Sequence, residues 1–344
     1  MMASLEDFDQ IEKIDAHVHI NSLDPAIIQQ SRIDNFKLLS VNVDTDEFPP
    51  LEEQMAICEN FLKANPDRFA FASTFQMHGW DLPNWQKNTI DYLDKTFSRG
   101  AIAVKVWKNI GMEFRDKNGT CVMIDNIKFD PVFQYLHKND IPLIGHLGEP
   151  KDCWLPLEDI SIKYIRDYFR NHPQYHMYLH SELPVYNKQI EARDRMLEKN
   201  RQLPFVAVHL ASLEWSIDAC AQFLNTYPNA VVDLSARLMY LQYHSSHDRK
   251  KVREFFIKYQ DRILYGTDII QDPGTDPKKI KNEVHDKWLE DWKYLATDEL
   301  MQTDEFDLDF QGLGLPSQVL DKIYRSNAEI LFPDAWKNSS GVKL

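Results

Sequence analysis

Positive charge is in deficit: 39 lysines and arginines stand against 53 aspartates and glutamates, for a formal net charge of −14. Without a basic excess there are no phosphate counterions to release, which argues against nucleic acid as a partner. Cysteine is sparse as well. Cys58, Cys121, Cys153 and Cys220 form no Cys-x-x-Cys pair, so no structural zinc knuckle is implied and the thiols read as core or surface groups in a reducing compartment. No stretch reaches the ~18 consecutive apolar residues that a membrane helix needs, and no membrane partner is expected. The first thirteen residues are acidic and contain no apolar h-region, so they do not read as a signal peptide. The expected compartment is the cytoplasm, although a chain trimmed of a leader would look the same. Internal repeats and low-complexity segments are absent.

What is present is apolar material for a large core, 43% of 344 residues, arranged in short β-rich runs alternating with longer amphipathic segments. Eight runs have strand character: 12–19, 37–43, 68–75, 101–107, 141–147, 204–210, 229–234 and 262–267. The segments Leu51–Ala64, Asn84–Phe97, Asp130–Asn139, Glu214–Tyr227 and Asp248–Tyr259 between them suit crossover helices. Eight such units predict an α/β fold, a (β/α)8 TIM barrel. A doubly wound open sheet is the runner-up, but no Gly-rich phosphate loop follows the first strand. Three connections, 108–128, 148–203 and 269–315, are too long for simple loops, and all follow strand C-terminal ends, the face where barrel active sites lie. The last is acidic, with Asp298, Glu299, Asp304, Glu305, Asp307 and Asp309, and reads as a solvated surface.

The chemistry begins at Asp15-Ala16-His17-Val18-His19. Alternation along a strand points His17 and His19 the same way, so both can grip one metal ion, and it points Asp15 with them. Zinc suits such a pair, since it accepts imidazole nitrogen and carboxylate oxygen. Three later strand candidates also end in a ligand or base: Gly145-His146, Val208-His209 and Tyr265-Gly-Thr-Asp268. In a barrel these ends converge, with Gly266 turned inward beneath Asp268. A single histidine on an apolar strand is more often a hydrogen-bonded core residue; four strand ends carrying such groups favour a metal site.

With the closing stretch Ile323-Tyr-Arg-Ser-Asn-Ala-Glu-Ile-Leu-Phe332, these pieces resemble the amidohydrolase superfamily, and within it the amidohydrolase-related branch that includes aminocarboxymuconate-semialdehyde decarboxylase. The resemblance spans about residues 14–332 and implies a single metal-dependent-hydrolase-type domain over 1–344. It implies one divalent ion, zinc before manganese, held by His17, His19, His146 and Asp268. His209 then stands beside the metal-bound water as a base, with Asp268 both ligand and proton acceptor. Lys105 and Trp107 point into the barrel on the fourth strand. In binuclear relatives a lysine there is carbamylated and bridges two metals, but the closing motifs match the branch that leaves it free, and a free ammonium suits a substrate carboxylate. Arg237 is a second anion clamp. Glu149, in His146-Leu-Gly-Glu149, resembles the His-x-Gly-Glu stretch of adenosine-deaminase-like enzymes and is taken as a pocket residue. His176 and His180 lack the glutamate of a zincin motif and read as packing or lid residues; Trp154, Tyr186 and Trp288 are aromatic candidates for the pocket.

The expected activity is hydrolysis of a small ester, lactone or amide-like substrate, with a carboxylated one in view. Non-oxidative decarboxylation on the same site is the alternative, with a deaminase or a non-catalytic binding barrel behind it. The expected partner is a small molecule, with a homodimer supported if an apolar insert is exposed.

Overall fold

The computed structural model describes residues 4–337. Its main sheet contains β1 (Lys13–Ile20), β2 (Phe36–Val41), β3 (Phe69–Thr74), β4 (Val104–Val106), β5 (Leu143–Gly145), β6 (Phe205–Ala207), β7 (Ala230–Asp233), β8 (Ile263–Leu264) and β9 (Ile269–Gln271). All neighbours pair in parallel, in the order β8-β7-β6-β5-β4-β3-β2-β1-β9. Only Tyr265–Asp268 separates β8 from β9, so the two ends of this ladder are one interrupted strand and the sheet is a ring. Across the break, the Ala16 amide donates to the Tyr265 carbonyl at 3.0 Å and the Asp268 amide to the His17 carbonyl at 2.8 Å. The chain is therefore an α/β TIM barrel, with the eighth strand split in two.

Side chains alternate across the wall. Leu39, Val41, Ala70, Ala72, Ala103, Ile144, Val206 and Leu264 share an inner cluster, sealed by Ala328, Phe332 and Trp336 of the C-terminal segment. The Trp336 indole donates to the Leu38 carbonyl at 3.0 Å. Phe36, Leu38, Phe69, Phe71, Val104, Leu143 and Phe205 enter the larger cluster beneath the helices. No described helix is long and apolar enough to cross a membrane.

Strand β1 breaks this alternation. Ile14 and Ala16 belong to the inner cluster, Val18 and Ile20 to the outer one. The register against β2 explains the reversal: Asp15 pairs with Leu38 but Val18 with Ser40, so one extra residue is inserted between them, and a bulge of this kind exchanges faces. Asp15 accordingly does not point with His17, as strict alternation predicts. It is fully buried and accepts four hydrogen bonds, from the His17 amide at 3.2 Å, the Thr267 amide at 3.0 Å, Thr267 Oγ1 at 2.6 Å and Trp288 Nε1 at 2.9 Å. Burial pushes its carboxyl up to about 7, against the pull of those four donors.

Trp288 comes from the long helix Pro277–Ala296 and stacks on Phe36 with centroids 4.1 Å apart. It is a core residue behind β1, away from any pocket. The 269–315 connection is thus β9, this helix and a two-stranded antiparallel hairpin, Leu300–Met301 with Phe310–Gln311. Its acidic residues face solvent except for half-buried Glu305.

Asp15→Asn tests the clamp. An amide can accept on one atom only, so at least one buried donor loses its partner, at a cost of about 1–3 kcal/mol. A fall in the urea midpoint at constant m-value is expected; an unchanged midpoint would show that the four bonds do not hold β1.

Candidate metal centre

Beyond the bulge, His17 and His19 lie on the inner side of β1. Each orients its ring through Nδ1: His17 donates to Asp233 Oδ2 at 2.8 Å, and His19 to the Val41 carbonyl at 2.8 Å. His209, just past β6, donates from Nδ1 to the Ser235 carbonyl at 2.8 Å. The three Nε2 atoms are left turned toward Asp268, at 3.3 Å for His17, 3.2 Å for His19 and 4.0 Å for His209. Candidate ligand atoms of His17, His209 and Asp268 all lie within 4.8 Å of one another.

Charge state suits the same purpose. Burial holds His17 and His209 well below the ordinary imidazole range and takes His146 down to about 4. For Asp268 burial works the other way, but His209, His17 and His19 around it keep the carboxyl well below its usual value. Neutral imidazoles with one nitrogen tied back, facing an ionised carboxylate, are the donor set of a divalent metal. The residues therefore fit such an ion.

The chain after β6 is unusual. His209, Leu210, Ala211 and Ser212 all have positive φ, from 53° to 59°, a left-handed turn costing about 1–2 kcal/mol per residue for L-amino acids. Several bonds offset that strain. Asp233 Oδ1 accepts from the His209 amide at 2.6 Å. The Arg193 guanidinium donates to the Ala211 carbonyl and the Tyr186 hydroxyl to the Ser212 carbonyl. The turn swings the His209 ring onto His17, stacked at 5.3 Å, and edge-on to His146 at 4.3 Å.

The structure thus gathers His17, His19, His209 and Asp268 closely. His146 joins through His209: its Nδ1 lies 3.2 Å from His209 Nε2, and its Nε2 faces Glu149 at 3.5 Å. Lys105 is buried, with Nζ 3.2 Å from His17 Nε2, and burial lowers its ammonium to about 8. Glu149 touches Lys108 directly and lies 3.6 Å from Arg237 Nη2. Half-buried Trp107 carries the Lys108 ammonium 5.3 Å from its ring centroid. Trp154 and Tyr186 meet edge to face at 5.5 Å. His176 stacks on Phe169 and bonds the Leu155 carbonyl, and His180 bonds the Pro173 carbonyl, both packing roles.

Two residues escaped the sequence reading. Asp233 ends the buried strand β7 and links His17 to the His209 backbone; an acid closing an apolar strand was its signal. Lys108 looked like the polar start of a loop, and nothing local announced its pairing with Glu149, forty-one positions on.

A family model described as Amidohydrolase matches residues 75–333, well over half of the chain. No curated protein matches. Among solved structures, an uncharacterized TIM-barrel protein from Bordetella bronchiseptica is 14% identical over 95% of this chain and 100% of its own, with a TM-score of 0.56. The 2,6-dihydroxybenzoate decarboxylase from Rhizobium is 13% identical over 94% of this chain and 98% of its own, at 0.53. An amidohydrolase II is 15% identical over 94% and 100%, at 0.52. At these identities the likeness is one of fold.

Asp233→Asn should weaken divalent-metal binding ~10–100-fold, the usual effect of losing a partner behind a ligating histidine; chelator competition measures it, and unchanged affinity would remove Asp233 from the site. Ala211→Gly should leave the melting temperature level or higher, because relief of left-handed strain offsets the lost methyl. A drop comparable to the ~1 kcal/mol of an ordinary helical Ala→Gly change would contradict the strained turn.

Proposed function

The chain belongs to the amidohydrolase family, and on that premise we propose that it is a metal-dependent hydrolase of small ester, lactone or amide-like substrates. What carries the reading is the convergence of His17, His19, His209 and Asp268, with the outer nitrogen of each imidazole already committed to a protein acceptor. His17, His19 and Asp268 would hold the ion, with His146 from the β5 end. Zinc is the ion proposed. Bound there, it would lower the pKa of a water and polarise a carbonyl.

The protein's own groups supply the proton chemistry. Because His209 Nδ1 donates to Ser235, its Nε2 is the lone-pair nitrogen, free to take a proton from water and return it to a leaving group. Asp268, ionised and partly open to solvent, can accept a proton in a later step. Lys105 stays an unmodified amine in this reading. Decarboxylation is the second reading, and Lys105 is the observation that favours it: a buried ammonium on the barrel interior can pair with a carboxylate.

Protein purified without added metal should carry about one equivalent of a divalent ion, for one tetrahedral-type donor set. A folded sample without metal, and without activity on adding it, would sink both readings. His209→Asn should retain most of the ion while turnover of phenyl acetate falls ~10²–10⁴-fold. His146→Asn should lose metal itself. Equal metal loss in both variants would make His209 a ligand rather than the base.

A further inference from the structure

Among the described residues, five buried side-chain nitrogen or oxygen atoms have no hydrogen-bond partner, and three of them lie together beside the metal centre: His146 Nε2, Glu214 Oε2 and Arg237 Nε. Glu149 ties them together. It is 3.5 Å from His146 Nε2 and 3.6 Å from Arg237 Nη2, and Lys151, two positions on, donates its amide to Glu214 Oε1 at 2.8 Å. Lys108, Glu149, Glu214 and Arg237 are each at most 6% exposed, so these are not solvated surface charges.

The charges on this wall are already matched. Lys108 touches Glu149, and Arg237 lies between Glu149 and Glu214. Lys105 faces His17 and feels Asp268 and Asp233. A substrate carboxylate arriving here finds no cation without an anion beside it, and desolvating an unmatched charge is costly. What the wall does offer is an unused N–H donor on Arg237 and an unused acceptor on Glu214. A hydroxyl group is donor and acceptor at once, and adjacent hydroxyls on a carbon chain match donors and acceptors set side by side. Hydroxyls bring no charge of their own to this wall.

We propose that Lys108, Glu149, Glu214 and Arg237 form a recognition wall for an uncharged, hydroxyl-bearing compound, so that the substrate class is a neutral polyhydroxylated ester or lactone rather than a carboxylic acid. The substrate part rests on the hydrolase reading above; the binding part does not. Recognition works by pairing the free Arg237 N–H and Glu214 oxygen with neighbouring hydroxyls, while the carbonyl end lies toward His146 and the metal ligands.

The test is calorimetric titration of the metal-loaded protein with a stereochemical panel of pentitols and hexitols, each beside its aldonate, which differs by carrying a carboxylate. At least one alditol should bind ~10-fold or more tightly than its aldonate, a difference that corresponds to one or more hydrogen bonds kept without an unmatched charge. Glu214→Gln, which keeps the Lys151 bond but replaces the free acceptor by a donor, should weaken that binding about tenfold with metal content unchanged; Arg237→Lys should weaken it likewise. Tighter binding of aldonates, no binding by any alditol, or binding unaffected by both substitutions would each overturn the proposal. Phenyl acetate, which has no hydroxyl groups, separates the two levels. Its hydrolysis without alditol binding would retire the wall and leave the hydrolase; alditol binding without turnover of any ester or lactone would retire the hydrolase and leave the wall.

Discussion

A single buried carboxylate holds the architecture in register. Asp15 takes four donors from three separate parts of the chain: the β1 backbone, the break in the eighth strand and the indole of a helix packed outside the barrel. An ionised carboxylate has about four acceptor positions, and here all four are filled, which is the condition for keeping such a group in a dry interior. The bond to the His17 amide stabilises the bulge, and the bulge turns His17 and His19 inward. The bonds to Thr267 anchor the residue next to Asp268. Ligands on opposite sides of the ring closure are thereby set against each other by one side chain that faces away from them.

That arrangement explains what could be read from the sequence and what could not. The eight strand runs, their order and the polar residue at the end of each are local patterns, and period-2 reasoning places them correctly. The same reasoning misplaces Asp15, because a bulge leaves no mark in the apolar pattern of the strand that contains it: Ile14, Ala16, Val18 and Ile20 look like one continuous face but are shared between two. Trp288 was misjudged for a related reason. An aromatic residue on an amphipathic helix can pack inward on the barrel or outward at its mouth, and only its partners, Phe36 and Asp15, decide between them. The Lys108–Glu149 contact needs the spatial adjacency of β4 and β5, which composition does not disclose.

The centre itself is built from two layers with different chemistry. In the inner one, neutral imidazoles surround a carboxylate that they keep ionised, and every ring is locked by a carbonyl or carboxylate behind it. In the outer one, cations and anions alternate and largely cancel. His146 stands on the boundary, with Nδ1 toward His209 and Nε2 toward Glu149. A change in the outer layer can therefore be felt in the inner one through the tilt of a single ring, without any chain of moving elements.

The split eighth strand also has a meaning for biogenesis. During synthesis, β1 through β7 can line up while β1 still shows an open edge to the surroundings, and such an edge invites pairing with other chains. It stays open until Ile269–Gln271 emerges and lies down beside Val18–Ile20, some 250 positions after the strand it covers. The residue delivered by that same movement is Asp268. Closure of the sheet and completion of the ligand set are thus one event, and a nascent chain that has not sealed its edge cannot yet present the full metal-binding set.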